Sequence, residues 1–222
     1  MAKYKVMEIF ESINGEGKKA GQLAIFIRFK GCNLKCSYCD TMWANEDDAF
    51  FTFLTEDEIY SKILESKIRN VTITGGEPLL QKDILVLLEK LANDDNLQVE
   101  IETNGSVDIK DFSKLKNPPS FTMDYKLPSS NMENLMNLEN FKYLKNKDCV
   151  KFVVKNIEDL EKAKEIIKKY NLVEKCGVYL SPVYKEIELT DIVDFMKKNN
   201  LNGVNMQLQI HKIIWNPEMR GV

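Results

Sequence analysis

Short runs rich in Val, Ile, Phe and Tyr recur down the chain with longer helical patterns between them. This alternation constrains the fold more than any other feature. The runs read as strands at 5–10, 24–29, 71–74, 98–102, 120–124, 150–154, 177–180 and 204–209. Helical patterns fall at 56–66, 82–92, 131–144, 157–170 and 189–198. In the second of these, Ile84, Leu85, Leu87, Leu88 and Leu91 make one apolar face. Thr55, with Glu58 three residues on, has the form of a capping box that starts the first. Strands that alternate with helices imply a parallel sheet, because each strand must be re-entered in the same direction by a right-handed crossover.

Between 103 and 119 the chain ends in Asn-Pro-Pro, which leaves room for one short helix at most. The expected class is α/β, with a sheet that either curls into an open partial barrel or stays doubly wound. In both cases reactive groups belong at the carboxyl ends of the strands. Gly75-Gly76-Glu77-Pro78, Thr103-Asn104-Gly105, Asp124-Tyr125-Lys126 and Ser181-Pro182 stand at such ends, and a cysteine cluster follows 24–29.

With 222 residues and no repeat, low-complexity tract or long linker, residues 1–222 are expected to form a single domain. A hydrophobic fraction of 44 % is enough for a sizeable core. The net charge of −3 supplies no global field for nucleic acid, so no nucleic-acid partner is expected. No apolar run approaches the roughly 18 residues that span a bilayer. The first residues lack the apolar core of a signal peptide, so a cytoplasmic location is expected.

Three of the five cysteines fall within eight residues, in the order Cys32, Cys36, Cys39, with the spacing C-x3-C-x2-C. In a cytosolic chain such clustering points to metal or redox chemistry rather than to disulfides. Three thiolates on one loop can hold three corners of an iron–sulfur cube. Electron-transfer clusters normally take four, so an iron without a protein ligand suggests a site for an exogenous one. The amine and carboxylate of S-adenosylmethionine would fill it, and reductive cleavage of the C5′–S bond would then generate a carbon radical. Structural zinc is the competing reading, but a closed zinc site wants four ligands, and the only histidine, His211, is far along the chain. Cys149 and Cys176 sit among apolar residues and read as small buried hydrophobes.

The cysteine spacing, with Tyr38 before the last cysteine, resembles the radical S-adenosylmethionine superfamily. Gly75-Gly76-Glu77-Pro78 is similar to the superfamily's GGEP motif, which contacts the methionyl amine. A narrower resemblance joins Glu11-Ser12-Ile13-Asn14-Gly15-Glu16-Gly17, Gly21, Phe26-Ile27-Arg28-Phe29-Lys30-Gly31-Cys32, Asp40-Thr41, Glu102-Thr103-Asn104-Gly105 and Gln207-Leu208-Gln209-Ile210-His211-Lys212. This succession resembles the 7-carboxy-7-deazaguanine synthase family of the queuosine pathway over nearly the whole chain, most weakly at about 131–175. Asn14 stands where the family is expected to have Gln, and Asp124-Tyr125-Lys126 where many relatives have Ser-Pro-Lys.

The resemblance implies a modified partial (β/α) barrel and a homodimer. It implies a [4Fe–4S] cluster, S-adenosylmethionine and Mg2+ as cofactors, a flavodoxin- or ferredoxin-like electron donor and a small pterin substrate. The implied reaction is a lyase step, the radical ring contraction of 6-carboxy-5,6,7,8-tetrahydropterin to 7-carboxy-7-deazaguanine with loss of ammonia. It implies that Cys32, Cys36 and Cys39 ligate the cluster, and that Thr41 ligates Mg2+. Gly76, Glu77, Gly105, Asp124, Tyr125, Lys126 and Ser181 fall to the cofactor. Ile13, Asn14, Gly15, Glu16, Arg28, Thr103 and His211 fall to the substrate, with a guanidinium at Arg28 suited to a carboxylate. No residue is assigned to proton handling. The alternatives are another radical enzyme, such as a glycyl-radical activase, and a zinc or electron-transfer module. An activase needs a surface for its partner protein, whereas the Gly-Glu-Gly and Asp-Thr motifs favour a small substrate.

Overall fold

The structure, a computed structural model, describes residues 2–222. Strands β1 (Lys3–Ile13) and β2 (Leu23–Phe29) form an antiparallel hairpin, and β3 (Thr52–Thr55) pairs antiparallel with β1 at the edge. From β2 onward every neighbour is parallel. The order continues through β4 (Asn70–Gly75), β5 (Gln98–Thr103), β6 (Ser120–Tyr125), β7 (Cys149–Val154), β8 (Gly177–Pro182) and β9 (Val204–Met206). Helices α1 (Glu56–Ser66), α2 (Ile84–Ala92), α3 (Ile157–Tyr170) and α4 (Leu189–Lys198) lie in the crossovers, and α5 (His211–Ile214) follows β9. The nine-stranded sheet runs from β3 to β9 without closing, which makes a partial (β/α) barrel.

The parallel strands alternate between an apolar face and a largely polar one. Val71, Ile73, Ile101, Phe121, Met123, Val150, Phe152 and Leu180 join the apolar core, together with Ile63, Leu88, Leu160 and Ile192 of the helices. The residues between them in β4 to β8 include Thr72, Glu100, Thr122, Asp124, Lys151 and Ser181. Because side chains alternate along a strand, these share the opposite, inner face. A parallel sheet packed on both faces would read as continuous hydrophobe; here the inner face is polar. In β1 the register slips between Val6 and Glu8. Tyr4 and Val6 therefore belong to the core while Glu8 and Phe10 line the inner cavity.

Four helices begin and end close to the sequence expectation. The capping box of α1 is present, with Thr55 accepting from Glu58 N and the Glu58 carboxylate accepting from Thr55 N. α2 starts at Ile84 rather than residue 82, because Asp83 takes a left-handed φ of 59°. The interval 103–119 holds only a 3-10 turn, Phe112–Lys114.

The helix expected at 131–144 does not form. Short 3-10 turns at Glu133–Leu135 and Leu138–Lys142 replace it. Asn131, Asn134, Asn137 and Asn140 recur every third residue there, and asparagine side chains compete for backbone groups. Asn131 turns left-handed, and Asn137 caps a turn. Buried Asn140 donates to the carbonyls of Gly105 and Val107 and accepts from Ile109 N. The expected strand at 204–209 stops at Met206. Strand β3 and helix α5 were not expected.

In the hairpin loop of residues 14–22, Asn14, Gly15, Glu16 and Gly17 are buried. The Gln207 side chain accepts from Gly17 N at 2.7 Å and donates to Gly17 O at 3.0 Å. Gly17 has φ +78°, and a Cβ there would meet Thr122 Oγ1 at 2.9 Å, so only glycine lets the loop lie this close to β6. The loop plugs the floor of the partial barrel from beneath.

Candidate active site

A cavity of about 630 Å3 opens above this plug, at the carboxyl ends of the strands. Cys32, Cys36 and Cys39 line one side, on the loop that leaves β2. The loop is tied down at several points. Tyr38 donates its hydroxyl to Val153 O at 3.2 Å, Ser37 Oγ donates to Ser129 O at 2.6 Å, and Asn104 donates to Asn33 Oδ1 at 3.0 Å. Asn104 Nδ2 also lies 3.5 Å from Cys32 Sγ. Burial pushes the Cys36 thiol up to about 11, with the nearby Lys126 charge opposing it; bound iron would reverse this and hold thiolate.

The glycines of the GGEP stretch pack on the root of this loop. Gly76 N donates to Phe29 O at 3.2 Å and Glu77 N to Gly31 O at 2.8 Å. A Cβ on Gly76 would lie 2.2 Å from Gly31 O. Glu77 is fully buried behind the turn. Its carboxylate accepts from Thr103 Oγ1 at 3.0 Å, Asn104 N at 2.6 Å and Leu79 N at 3.0 Å. Burial nevertheless pushes it up to about 7, against the pull of those donors.

The floor is a network of charges. Lys151 on β7 bonds Glu16 at 2.8 Å and lies 3.8 Å from Asp124, which pairs with Lys126 at 2.9 Å. Ser181 donates to Glu16 at 2.5 Å. Burial favours neutral Glu16, but Lys151, with Ser181 and Gln209, holds it below the usual carboxylate range. Burial likewise opposes the charge on Lys151, yet Glu16, Asp124 and Glu102 raise it well above an ordinary lysine. Asp124 Oδ1 is buried with no partner among the described residues.

Arg28, near the end of β2, pairs with Glu8 at 2.7 Å, with its guanidinium 5.6 Å from the Phe10 ring and 5.9 Å from Trp43. His211 sits against Gly15, where a Cβ would come within 2.2 Å of Nδ1. Burial lowers its pKa, with Glu16 opposing. Thr41 donates to Asp40 at 3.0 Å, and Asp40 pairs with Lys212 at 3.1 Å. Residues 217–222 also line the cavity, with Arg220 4.1 Å above the Trp43 ring.

Of the residues expected here, the three cysteines, Thr41, Ile13, Gly15, Glu16, Arg28, Gly76, Thr103, Asp124, Lys126 and His211 line the cavity. Five lie off its wall. Asn14 is buried and accepts from Thr72 at 2.7 Å, and Glu77 serves the turn. Gly105 lies under Met123. The Tyr125 ring faces the helices, 5.5 Å from Phe152, and Ser181 is committed to Glu16. Sequence reasoning missed Glu8, Trp43, Glu102, Lys151 and Arg220. The polar alternation in Val-Glu-Ile-Glu and Val-Lys-Phe-Val carried the signal for two of them, Glu102 and Lys151.

The donor set fits an iron–sulfur cluster with an open corner. Cys149 and Cys176 are buried away from the three thiols, so the protein offers no fourth cysteine. Gly76 lines the same cavity, and the partnerless Asp124 Oδ1 offers a hydrogen-bond acceptor for a bound cofactor. Residues 26–173 match the radical SAM superfamily. The chain is 60 % identical over 219 residues to the 7-carboxy-7-deazaguanine synthase of Clostridium acetobutylicum, covering 99 % of each. This chain belongs to the 7-carboxy-7-deazaguanine synthase family. It is also 39 % identical to the synthase of Methanospirillum hungatei, covering 96 % of this chain and 86 % of that one. Its fold matches the crystal structure of QueE from Escherichia coli with a TM-score of 0.74, over 93 % and 94 % of the two chains at 21 % identity. As a radical enzyme of the synthase family it uses a [4Fe–4S] cluster and S-adenosylmethionine on a small-molecule substrate. No helix among the described residues is long and apolar enough to cross a membrane.

Proposed function

We propose that this chain contracts the ring of 6-carboxy-5,6,7,8-tetrahydropterin to 7-carboxy-7-deazaguanine with release of ammonia. The observation that carries the reading is one cavity lined at once by the three-thiol loop, the glycine turn, Arg28 and the Gly15–Glu16 turn. When bound, the cluster and S-adenosylmethionine supply hydrogen-abstracting radical chemistry. The chain's own residues bind and orient. Cys32, Cys36 and Cys39 hold the cluster, and Gly76 with Asp124 and Lys126 receives the cofactor. Glu77, Gly105, Tyr125 and Ser181 act on it from behind by fixing these groups. Arg28, aimed by Glu8, takes the substrate carboxylate. Ile13, Gly15, Thr103 and His211 bound the ring, with Asn14 setting the turn. Thr41 ligates Mg2+ together with substrate oxygens, which suits an ion that keeps few protein ligands. Residues 217–222 exclude water. The enzyme works as a cytoplasmic homodimer, is reduced by a flavodoxin- or ferredoxin-like donor and binds neither membrane nor nucleic acid. The test is mass spectrometry of products from carboxytetrahydropterin with reconstituted enzyme, S-adenosylmethionine, reductant and Mg2+. Formation of 7-carboxy-7-deazaguanine is expected; deoxyadenosine without any deazapurine would refute the substrate assignment.

A further inference from the structure

The charges around the cavity pair off almost completely. Glu8 takes Arg28, Glu16 takes Lys151, Asp124 takes Lys126 and Asp40 takes Lys212. Apart from Glu218 on the exposed rim, one acidic side chain on the wall is left over. Glu102 lies on the inner face of β5, half-buried, and has no hydrogen bond or ion pair among the described residues. The buried Lys151 ammonium lies close enough for Glu102 to raise that lysine's pKa. Thr103 beside it is spent on Glu77, so nothing on its own strand satisfies the carboxylate. A partly desolvated carboxylate with free oxygens needs donors, and a ligand must bring them.

We propose that Glu102 reads the pyrimidinone edge of the substrate, accepting from its ring N3–H and from its 2-amino group. This rests on the pterin reading above and names the group that selects the ring, as Arg28 selects the carboxylate. Two adjacent N–H donors match the two oxygens of one carboxylate. Replacing the 2-amino group by an oxo group turns one donor into an acceptor and sets like against like. Glu102 is therefore a specificity-determining residue that touches substrate.

The experiment compares two stable probes, 6-carboxypterin and its 2-oxo counterpart 6-carboxylumazine, by calorimetry on enzyme carrying cluster, S-adenosylmethionine and Mg2+. Wild type should prefer the pterin. Glu102→Gln, whose amide offers one acceptor and one donor, should bind 6-carboxypterin about 10- to 100-fold more weakly. It should bind 6-carboxylumazine more tightly than wild type does. Glu102→Ala should weaken the pterin without favouring the lumazine. A structural role would depress both probes alike in Glu102→Gln, and equal losses would overturn the proposal. Wild type that binds 6-carboxypterin, with a Glu102→Gln preference that stays put, removes Glu102 while leaving the pterin reading intact. Wild type that binds neither probe defeats the pterin reading and this inference together.

Discussion

Glu77 gives a stability prediction whose sign is fixed by the structure. Its pKa is raised from an ordinary 4.5 to about 7, because burial outweighs the donors from Asn104, Leu79 and Thr103. The folded protein therefore holds a proton that the unfolded chain has released. Its contribution to stability is fully present below pH 4.5 and is lost as pH rises through about 7. At 1.36 kcal/mol per pH unit, the displacement is worth about 3 kcal/mol. Glu77→Gln cannot titrate and has no such slope. The assay is urea unfolding of cluster-free wild type and Glu77→Gln at intervals from pH 5 to 8, read as the difference in unfolding free energy. Subtracting the variant cancels every other titrating group. Wild type should lose about 2.5 kcal/mol relative to Glu77→Gln between pH 5 and 8, the remainder falling below pH 5. A flat difference would mean that Glu77 titrates normally. A wild type that gains stability with pH would mean that the three donors outweigh burial, and the reasoning would fail.

Three further outcomes are expected. Cys32→Ala, Cys36→Ala and Cys39→Ala should each lose iron and all deoxyadenosine formation, while Cys149→Ala and Cys176→Ala keep both; iron assay and chromatography decide. Gly76→Ala must open the contact to Gly31 O from 2.2 Å. It should cost about 1–3 kcal/mol in denaturant unfolding and weaken S-adenosylmethionine in equilibrium binding; an unshifted midpoint would contradict the packing described. Lys151→Met leaves Glu16 buried without its charge partner. It should destabilise by about 3–5 kcal/mol, with Glu16→Gln/Lys151→Met recovering part of the loss in a double-mutant cycle.

Much of this molecule is legible in its residues. The order of parallel strands follows from the alternation of strands and helices. The thiol loop and the glycine turn lie at carboxyl ends, where a crossover sheet must put them. What escaped reading has physical causes. The segment 131–144 has the apolar spacing of a helix, and periodicity does not weigh how four asparagines capture backbone groups. Asn14, Tyr125 and Ser181 sit in motif positions, but motif position does not say what a side chain meets: Tyr125 falls on the outer face of β6, Ser181 on the inner face is spent on Glu16, and Asn14 is held by Thr72. Glu8 reaches the cavity only because the register of β1 slips, and a bulge leaves little trace in composition.

The plug that floors the cavity joins residues 190 positions apart, Gly17 and Gln207. Glu16 waits on β7 for Lys151, on β8 for Ser181 and on the segment after β9 for Gln209. On the ribosome, the thiol loop emerges early while the base of its chamber is still unmade. Contacts so distant in sequence are paid for last in loop-closure entropy, and a chain made from one end must be nearly finished before they exist. The chamber is thus sealed from below as a closing step of folding, and a nascent chain holds a cluster loop without a working pocket.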